Sequence, residues 1–336
     1  MAKCVTLVIS FLLVTSIMLI PSLQKVSSDG LFEETLPPAS IGARVASLYT
    51  KISPPLLTSD AMQNAFFQLR LFDSNTGNNI TDVNYFLTIS KGDEVLFREL
   101  FYSKKGPLTL KFQPNEGPIS IFGTTEPFLG GWTSDTGDIT IAGPVLSEGG
   151  LYHFAIEIFG IDNVRNIFQP ENAPRFDSYL SIGDVHATNL TYGNKVYNST
   201  LISYYDKVQN FTFEPENLKL RWEMPFNWNV SRIKANNIFV HEEIWFPKPS
   251  PFANQSFSGE VNDIPLPAKM LMIDATNSSK DVVHFMIPKD GIISLAENVN
   301  RNGSDTSGLM KFELKPGGNL SGNGSMMHMN SSSMSF

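Results

Sequence analysis

The chain has 336 residues and a formal net charge of −8, and only 17% of its residues are charged while 11% are aromatic. Proteins that bind nucleic acid need a basic surface to displace counterions, so this acidic balance argues against that class of partner. The 21 prolines and 24 glycines favour an all-β protein with many turns.

Residues 1–28 have the pattern of a secretory signal peptide. Lys3 precedes an uncharged run over residues 4–20, and small residues follow at the end of the segment. An uncleaved membrane anchor is the alternative, since a spanning helix needs roughly 17–25 residues. Cleavage would remove Lys3 and Lys25 and leave 23 basic and 33 acidic residues. We therefore expect an extracytoplasmic protein, secreted, pseudoperiplasmic or at the cell surface, whose membrane contact is limited to that segment if it is retained.

The single cysteine, Cys4, lies inside this segment. A mature chain without it has no disulfide, thiolate zinc site, cysteine nucleophile or cysteine-ligated copper.

Asn-x-Ser/Thr triplets are more numerous than chance would give for this composition. Such a triplet is an acceptor for N-glycosylation and implies an exposed loop, although Asn, Ser and Thr are also common in turns. We predict a glycosylated surface protein. The eleven candidate sites are Asn79, Asn189, Asn198, Asn210, Asn229, Asn254, Asn277, Asn302, Asn319, Asn323 and Asn330.

The first half of the chain predicts an antiparallel β-sandwich of immunoglobulin-like size over residues 43–165, after a lead-in at 29–42. Alternation begins at residues 66–73, where Phe67, Leu69 and Leu71 face one way. A hairpin is predicted from residues 83–90 and 94–103 around a KGD turn. Further strands are predicted at 108–114, 119–124, 138–144 and 151–161.

A second such sandwich is predicted over residues 178–295, after a boundary at 162–177 that is rich in turn formers. One large sandwich with exchanged edges is the alternative. Residues 298–336 are rich in Gly, Asn, Ser and Met and predict a flexible tail with one short strand at 309–314.

His241, Glu242 and Glu243 form the run that most resembles a catalytic cluster. A zinc protease helix would need a second histidine at position 245, which is a tryptophan. In a strand, His241 and Glu243 share one face and Glu242 lies on the other. We expect a structural pair in which the carboxylate hydrogen-bonds the imidazole and raises its pKa, with metal ligation as the alternative. The other histidines, His153, His186, His284 and His328, show no local metal-ligand spacing.

Two further segments carry candidate ligand-binding residues. Met326, Met327, His328 and Met329 offer soft donors suited to Cu(I), against the simpler interpretation of a disordered end without function. Trp132 lies in a glycine-rich segment, FLGGWTSDTGD, and is the best candidate for an aromatic that faces a ligand such as a sugar.

The stretch from FQLRLFD to KFQP at residues 67–114 resembles one in uncharacterised exported proteins of ammonia-oxidising archaea. The segments LRWEMPFNWNVSRI and NIFVHEEIWFPK resemble them more loosely. The resemblance implies a surface or pseudoperiplasmic location and a copper-rich physiology, and it assigns no functional residue.

No hydrolase, Walker or dinucleotide signature is present in the sequence. We therefore expect a non-enzymatic surface protein without a cofactor, which contacts other surface proteins or glycans. A copper-binding protein that uses the Met/His tail is the first alternative, and a carbohydrate-binding module that uses Trp132 is the second.

Overall fold

The computed structural model describes residues 32–58, 65–253, 255–302 and 308–317. The fold is all-β in class, with most described residues in antiparallel sheets. The strands of the first half are β1 (Glu33–Thr35), β2 (Ala39–Ile41), β3 (Arg44–Ser53), β4 (Phe66–Asp73), β5 (Val83–Lys91), β6 (Glu94–Ser103), β7 (Leu108–Pro114), β8 (Ser120–Phe122), β9 (Thr124–Thr125), β10 (Trp132–Thr133), β11 (Asp138–Gly143), β12 (Gly150–Gly160) and β13 (Arg175–Ile182). Those of the second half are β14 (Asp184–Tyr192), β15 (Lys195–Ser203), β16 (Gln209–Glu214), β17 (Lys219–Pro225), β18 (Val240–Pro247), β19 (Phe257–Val261), β20 (Ile264–Pro265), β21 (Leu271–Asp274), β22 (Lys280–Ile287) and β23 (Leu309–Pro316).

The predicted signal segment at residues 1–28 lies outside the described residues. Within the described part of the chain, no helix combines the length and the apolarity that crossing a membrane requires.

Two sheets contribute to the first hydrophobic core. One has the strand order β1-β3-β4-β7-β11-β8, with β2 also paired to β3, and the other has the order β13-β12-β5-β6-β10-β9. Phe67, Leu69 and Leu71 of β4 are fully buried on one face, as the alternation predicts. Phe67 stacks on Phe154 of the other sheet, with ring centroids 4.0 Å apart. The two sheets therefore share one core.

The predicted hairpin around KGD is confirmed. Strands β5 and β6 pair antiparallel over their length, with Lys91 opposite Glu94 at the turn. Gly92 has a φ of 60°, which glycine adopts without the steric cost that a Cβ imposes.

Two strand pairs in the first half are parallel, contrary to the purely antiparallel prediction. β11 pairs parallel with β7 and β10 pairs parallel with β6. In each pair a long connection separates the two strands, through β8 to β10 for the first and through β7 to β9 for the second, and it returns the chain in the same direction.

Within the predicted lead-in at 29–42, residues 33–35 and 39–41 form β1 and β2, and both pair with β3. Strand β3 is absent from the prediction, and polar residues are buried on both of its faces. Ser47 and Thr50 are buried on opposite faces of β3, where the Ser47 hydroxyl lies 2.9 Å from the Ser74 hydroxyl and the Thr50 hydroxyl lies 2.8 Å from the Ser178 hydroxyl.

The change from one core to the next lies at Gly183, and not at the predicted boundary of residues 162–177. Strand β13 pairs antiparallel with β12 and contributes Phe176, Leu180 and Ile182 to the first core. Gly183 divides the alternating segment SYLSIGDVHATNLTY into β13 and β14. The second unit therefore begins after residue 182 and not at 178.

Two five-stranded sheets contribute to the second core. Their orders are β14-β15-β18-β22-β21 and β16-β17-β23-β19-β20. Trp222 of β17 stacks on Phe312 of β23 at 5.0 Å, and it meets the edge of Phe285 of β22, in the other sheet, at 5.3 Å. These fully buried aromatic rings join the two sheets.

The second unit also extends past its predicted end at residue 295. Helix α1 (Val230–Ala235) and helix α2 (Lys289–Asn302) were not predicted, and α2 crosses the expected start of the tail at residue 298. Strand β23 covers the short strand predicted at 309–314, but it lies between β17 and β19 and contributes Met310, Phe312 and Leu314 to the second core. The described part of the predicted tail thus belongs to the fold.

The two halves contact one another along a cleft of about 960 Å³. Lys91 pairs with Asp206 at 3.2 Å and Arg232 pairs with Asp93 at 3.0 Å across it. At the junction, a Cβ on Gly183 would lie 2.7 Å from side-chain atoms of Leu56 and of Ile202, so the chain passes there only because glycine has no side chain.

Candidate metal centre

Strand β18 positions the residues of the HEE run. His241 and Glu243 lie on the outer face of its sheet, whereas Glu242 lies with Val240 and Ile244 on the face toward the core. The predicted divergence of the two glutamates is therefore confirmed, and only His241 and Glu243 can act on the same ligand.

The register of β18 and β22 brings a second histidine to this face. Glu243 is directly opposite His284 on β22. His241 Nε2 lies 3.2 Å from His284 Nδ1, and Glu243 Oε1 lies 3.6 Å from each of these nitrogens. The three atoms form a nearly equilateral triangle of donors.

The triangle has the dimensions of one face of a tetrahedral metal site. Ligand atoms at about 2.0–2.2 Å from a tetrahedral ion lie roughly 3.3–3.6 Å from one another. The observed separations of 3.2, 3.6 and 3.6 Å fit that geometry without rearrangement of the backbone. Two histidines and one carboxylate are a ligand set of transition metals and leave a fourth position open.

The imidazoles are held in the neutral form that ligates metals. The His241 side chain is 6% exposed, Glu243 14% and His284 20%. Burial, assisted by the neighbouring His284, lowers the pKa of His241 to about 3. Burial also lowers the pKa of His284, against the opposing charges of Glu243 and Asp274. Access to solvent is greatest on the His284 side.

His241 and Glu243 do lie together on one face, but the expected hydrogen bond and the raised pKa of His241 are wrong. A carboxylate that held His241 by a hydrogen bond would raise its pKa, but the 3.6 Å separation is too long for a hydrogen bond and the pKa of His241 is lowered instead. Desolvation dominates because His241 is almost fully buried.

Neighbouring side chains position the three potential ligand atoms. Trp245 Nε1 donates to Glu243 Oε2 at 2.9 Å and so leaves Oε1 directed at the histidines. Tyr204 stacks on the His241 ring with centroids 4.8 Å apart. Lys280 Nζ lies 2.9 Å from the centre of the Trp245 ring. His241 Nδ1 is buried and has no hydrogen-bond partner among the described residues.

Glu242 is a buried acid on the opposite face. Ser203 Oγ donates to its Oε1 at 2.8 Å. Burial raises the pKa of Glu242 well above the usual value of a glutamate. A raised pKa favours the protonated, uncharged carboxyl, which lowers the cost of burying this group. It is not a ligand of the neighbouring site.

The other residues predicted to bind a ligand are not part of this cluster. Trp132 is half-buried in β10 and packs against the first core, where it lines a groove of about 410 Å³ with Val95, Leu96, Ile119 and Ile121. The tail donors Met326, Met327, His328 and Met329 lie outside the described residues.

Two of the remaining histidines have partners of their own. His153 is half-buried in the cleft between the halves, stacks on Tyr179 and lies 2.8 Å from Asp177. His186 is half-buried and contacts Phe211. Neither histidine belongs to the cluster of three.

The candidate glycosylation sites with described side chains are all exposed. They are Asn79, Asn189, Asn198, Asn210, Asn229 and Asn277. Asn189 and Asn198 are directly opposite one another on β14 and β15. Asn210 donates its side-chain nitrogen, the atom that a glycan would modify, to Glu223 at 2.8 Å. The side chains of Asn254, Asn302, Asn319, Asn323 and Asn330 lie outside the described part.

Sequence reasoning placed His241 and Glu243 together but did not identify His284 as their partner. The signal for it was the strand pattern of DVVHFMIP, in which His284 lies on the face opposite Val283 and Phe285. A strand that exposes a histidine on an otherwise apolar background is a sign that the histidine has a role on that face.

The chain matches no protein-family model, no curated protein and no solved structure. The resemblance to exported archaeal proteins therefore stays a prediction, and the function has to be argued from the site itself.

Proposed function

We propose that the protein binds a transition-metal ion through His241, Glu243 and His284. The observation that carries this proposal is the convergence of three donor atoms, from two strands, within 3.6 Å of one another. A cation at their centre would satisfy all three donors at once.

The two imidazoles can share one N–H···N hydrogen bond at 3.2 Å, but hydrogen bonding to the histidines does not explain the position of Glu243. Both imidazoles are neutral at neutral pH, so Glu243 forms no ion pair with either of them. Its Oε1 atom lies beyond hydrogen-bond range of both nitrogens, and yet it is directed between them by Trp245. Trp245 satisfies only Oε2 of this carboxylate, and a cation bound at Oε1 would offset the cost of burying its negative charge.

The donor types define the class of ion. Imidazole nitrogens suit Zn²⁺, Cu²⁺ and Ni²⁺, whereas Ca²⁺ and Mg²⁺ prefer sets made only of oxygen. Three protein ligands leave one position for water or a fourth ligand. The proposal is one of binding, in keeping with the expectation that the protein is not an enzyme.

The fold and location complete the proposal. We infer two tandem sandwiches with immunoglobulin-like architecture, because two sheets contribute to each of two successive cores. An extracytoplasmic, glycosylated protein is supported by the signal pattern of residues 1–28 and by the exposure of six candidate asparagines.

A second candidate function is contact with surface proteins or glycans at the Trp132 groove. Two large apolar side chains that line it are exposed, Val95 (56% exposed) and Ile119 (42%). Exposed apolar groups that cluster around a groove favour an interaction surface.

Titration of the metal-free chain tests the metal proposal. Zn²⁺ is added to protein treated with chelator, and heat is measured for the parent, His284→Asn, Glu243→Gln and the control His186→Asn, a histidine of the same sheet outside the cluster. We expect one equivalent of Zn²⁺ in the parent and the control. Loss of a direct ligand should lower affinity by more than about 100-fold, since even outer partners contribute about 10–100-fold. Parent-like binding by both ligand variants would refute the site.

A further inference from the structure

Two methionines share the outer face with the three donors. Met286 on β22 is directly opposite His241 on β18, and Met272 on β21 is directly opposite His284. Met286 and His284 are half-buried while Val283, Phe285 and Ile287 of the same strand are buried toward the core. Alternation therefore places Met286 on the side of the sheet that holds the metal ligands.

Met286 adjoins both histidines. It faces His241 across the strand pair, where Cβ atoms lie about 4.5–5.5 Å apart, and it is two residues from His284 along β22. Its flexible side chain can fill the open fourth position. Met272 adjoins His284 alone and is 42% exposed. Of the two thioethers, Met286 is the better placed.

A thioether ligand changes which metal ion a site binds most tightly. Thioether sulfur is a soft ligand that favours Cu(I), whereas two imidazoles and a carboxylate alone suit Zn²⁺ or Cu²⁺. We propose that the Met286 thioether is the fourth ligand of the His241–Glu243–His284 centre, which therefore binds Cu(I) tightly. This inference rests on the proposed function of the same site, and it concerns binding of Cu(I) without an electron-transfer step.

The test measures Cu(I) and Zn²⁺ binding in the same variants. The parent is the full chain with the tail donors removed by Met326→Leu, Met327→Leu, Met329→Leu, Met334→Leu and His328→Asn. Cu(I) is supplied without oxygen, and its affinity is measured by competition with a Cu(I)-specific chromogenic chelator. Zn²⁺ affinity is measured by calorimetry.

We compare Met286→Leu with Met272→Leu, both of which conserve volume. Met286→Leu should lower Cu(I) affinity by about 10–100-fold while Zn²⁺ affinity stays within about threefold, because only the soft ligand is lost. Met272→Leu should leave both affinities within about threefold of the parent.

The alternatives are distinguishable. The assignment of Met286 is overturned if Met286→Leu keeps the Cu(I) affinity of the parent, or if Met272→Leu loses as much Cu(I) affinity as Met286→Leu. In either case, Zn²⁺ binding by the parent would still support the proposed function. An equal loss of Zn²⁺ affinity in Met286→Leu also overturns the assignment, since Met286 would then act on the fold. A parent that binds neither ion refutes both proposals. As a check independent of the variant's folding, X-ray absorption of Cu(I)-loaded Met272→Leu should show one sulfur neighbour, and its absence overturns the assignment.

Discussion

His241 Nε2 lies 3.2 Å from His284 Nδ1, although the two residues are 43 positions apart in the chain. The antiparallel register of β18 and β22 produces this contact, and Glu243 Oε1 completes the triangle at 3.6 Å from both. Three donors on a rigid sheet form a site whose geometry is set before the ion arrives, so little ordering entropy is lost on binding.

Metal binding should stabilise the fold. A ligand that binds only the folded state adds about 2.7 kcal/mol when its free concentration is about 100 times its Kd. The unfolding midpoint of the parent should therefore rise as Zn²⁺ is added and fall again on addition of chelator. Thermal unfolding monitored by fluorescence measures this shift. Glu243→Gln should show little of the rise, and an equal rise in that variant would place the ion elsewhere.

The metal-free protein should lose stability as the pH falls. The pKa of His241 is about 3 in the folded state and about 6.5 when exposed, so the unfolded chain takes up the proton first. The contribution of neutral His241 is fully present above pH 6.5 and is lost as the pH falls toward about 3, at no more than about 1.4 kcal/mol per pH unit.

Urea unfolding at pH 7.5 and pH 5, in chelator, measures this effect. His241→Gln should reduce the difference between the two pH values, and His186→Gln should preserve it. An unchanged difference in His241→Gln would show that the imidazole is not held neutral by burial.

Glu242 should have the opposite effect. Its folded-state pKa is raised, so its contribution is fully present below the unfolded pKa and is lost as the pH rises above that value. Glu242→Gln keeps an acceptor for Ser203 Oγ and removes the titration. We expect the variant to be more stable than the parent at pH 8. The gain should be about 1.4 kcal/mol for each pH unit between the unfolded-state pKa of Glu242 and its folded-state pKa, counted no higher than pH 8.

Denaturant unfolding at pH 5 and pH 8 checks the sign of the Glu242 effect, with the exposed Glu216→Gln as control. A variant destabilised equally at both pH values would show that the carboxyl contributes through hydrogen bonding alone.

Asn189 and Asn198 should compete for glycosylation. They are directly opposite on adjacent strands, so a glycan on one covers the other. Mass spectrometry of glycopeptides from a glycosylating host should find one of the two modified per chain. Asn189→Gln should raise occupancy at Asn198, whereas Asn79→Gln should not. Frequent double occupancy would contradict the prediction.

Alternation within single strands was enough to predict many of the strands and to place two of the three site residues, His241 and Glu243, on one face. Alternation along β18 separates Glu242 from His241 and Glu243, and the same rule gives the buried face of β4. These predictions hold because the side-chain direction in a strand depends only on position along it.

The missing parts depend on pairing over long distances. The partner of Glu243 follows from the register of β18 and β22, which no local window contains. Strand β3 was missed because the polar residues Ser47 and Thr50 are buried in it. Most of strand β13 was assigned to the second half because the alternating pattern continues on both sides of Gly183.

Helix α2 is different, because its signal is present in the sequence. Ile292, Leu295, Ala296 and Val299 recur at helical spacing, and all four are buried in the second core. The Asn-rich residues at the end of α2 have the composition of a flexible tail. The predicted tail therefore began at residue 298, inside the helix.

The location of the bound ion tests the proposed centre most directly. Crystals of the metal-free protein soaked with Zn²⁺ are measured at the zinc absorption edge, and an anomalous difference map locates the ion. We predict one ion at about 2.0–2.2 Å from His241 Nε2, His284 Nδ1 and Glu243 Oε1. A map with no peak between these three atoms, from crystals in which the metal reaches other sites, would contradict the proposal.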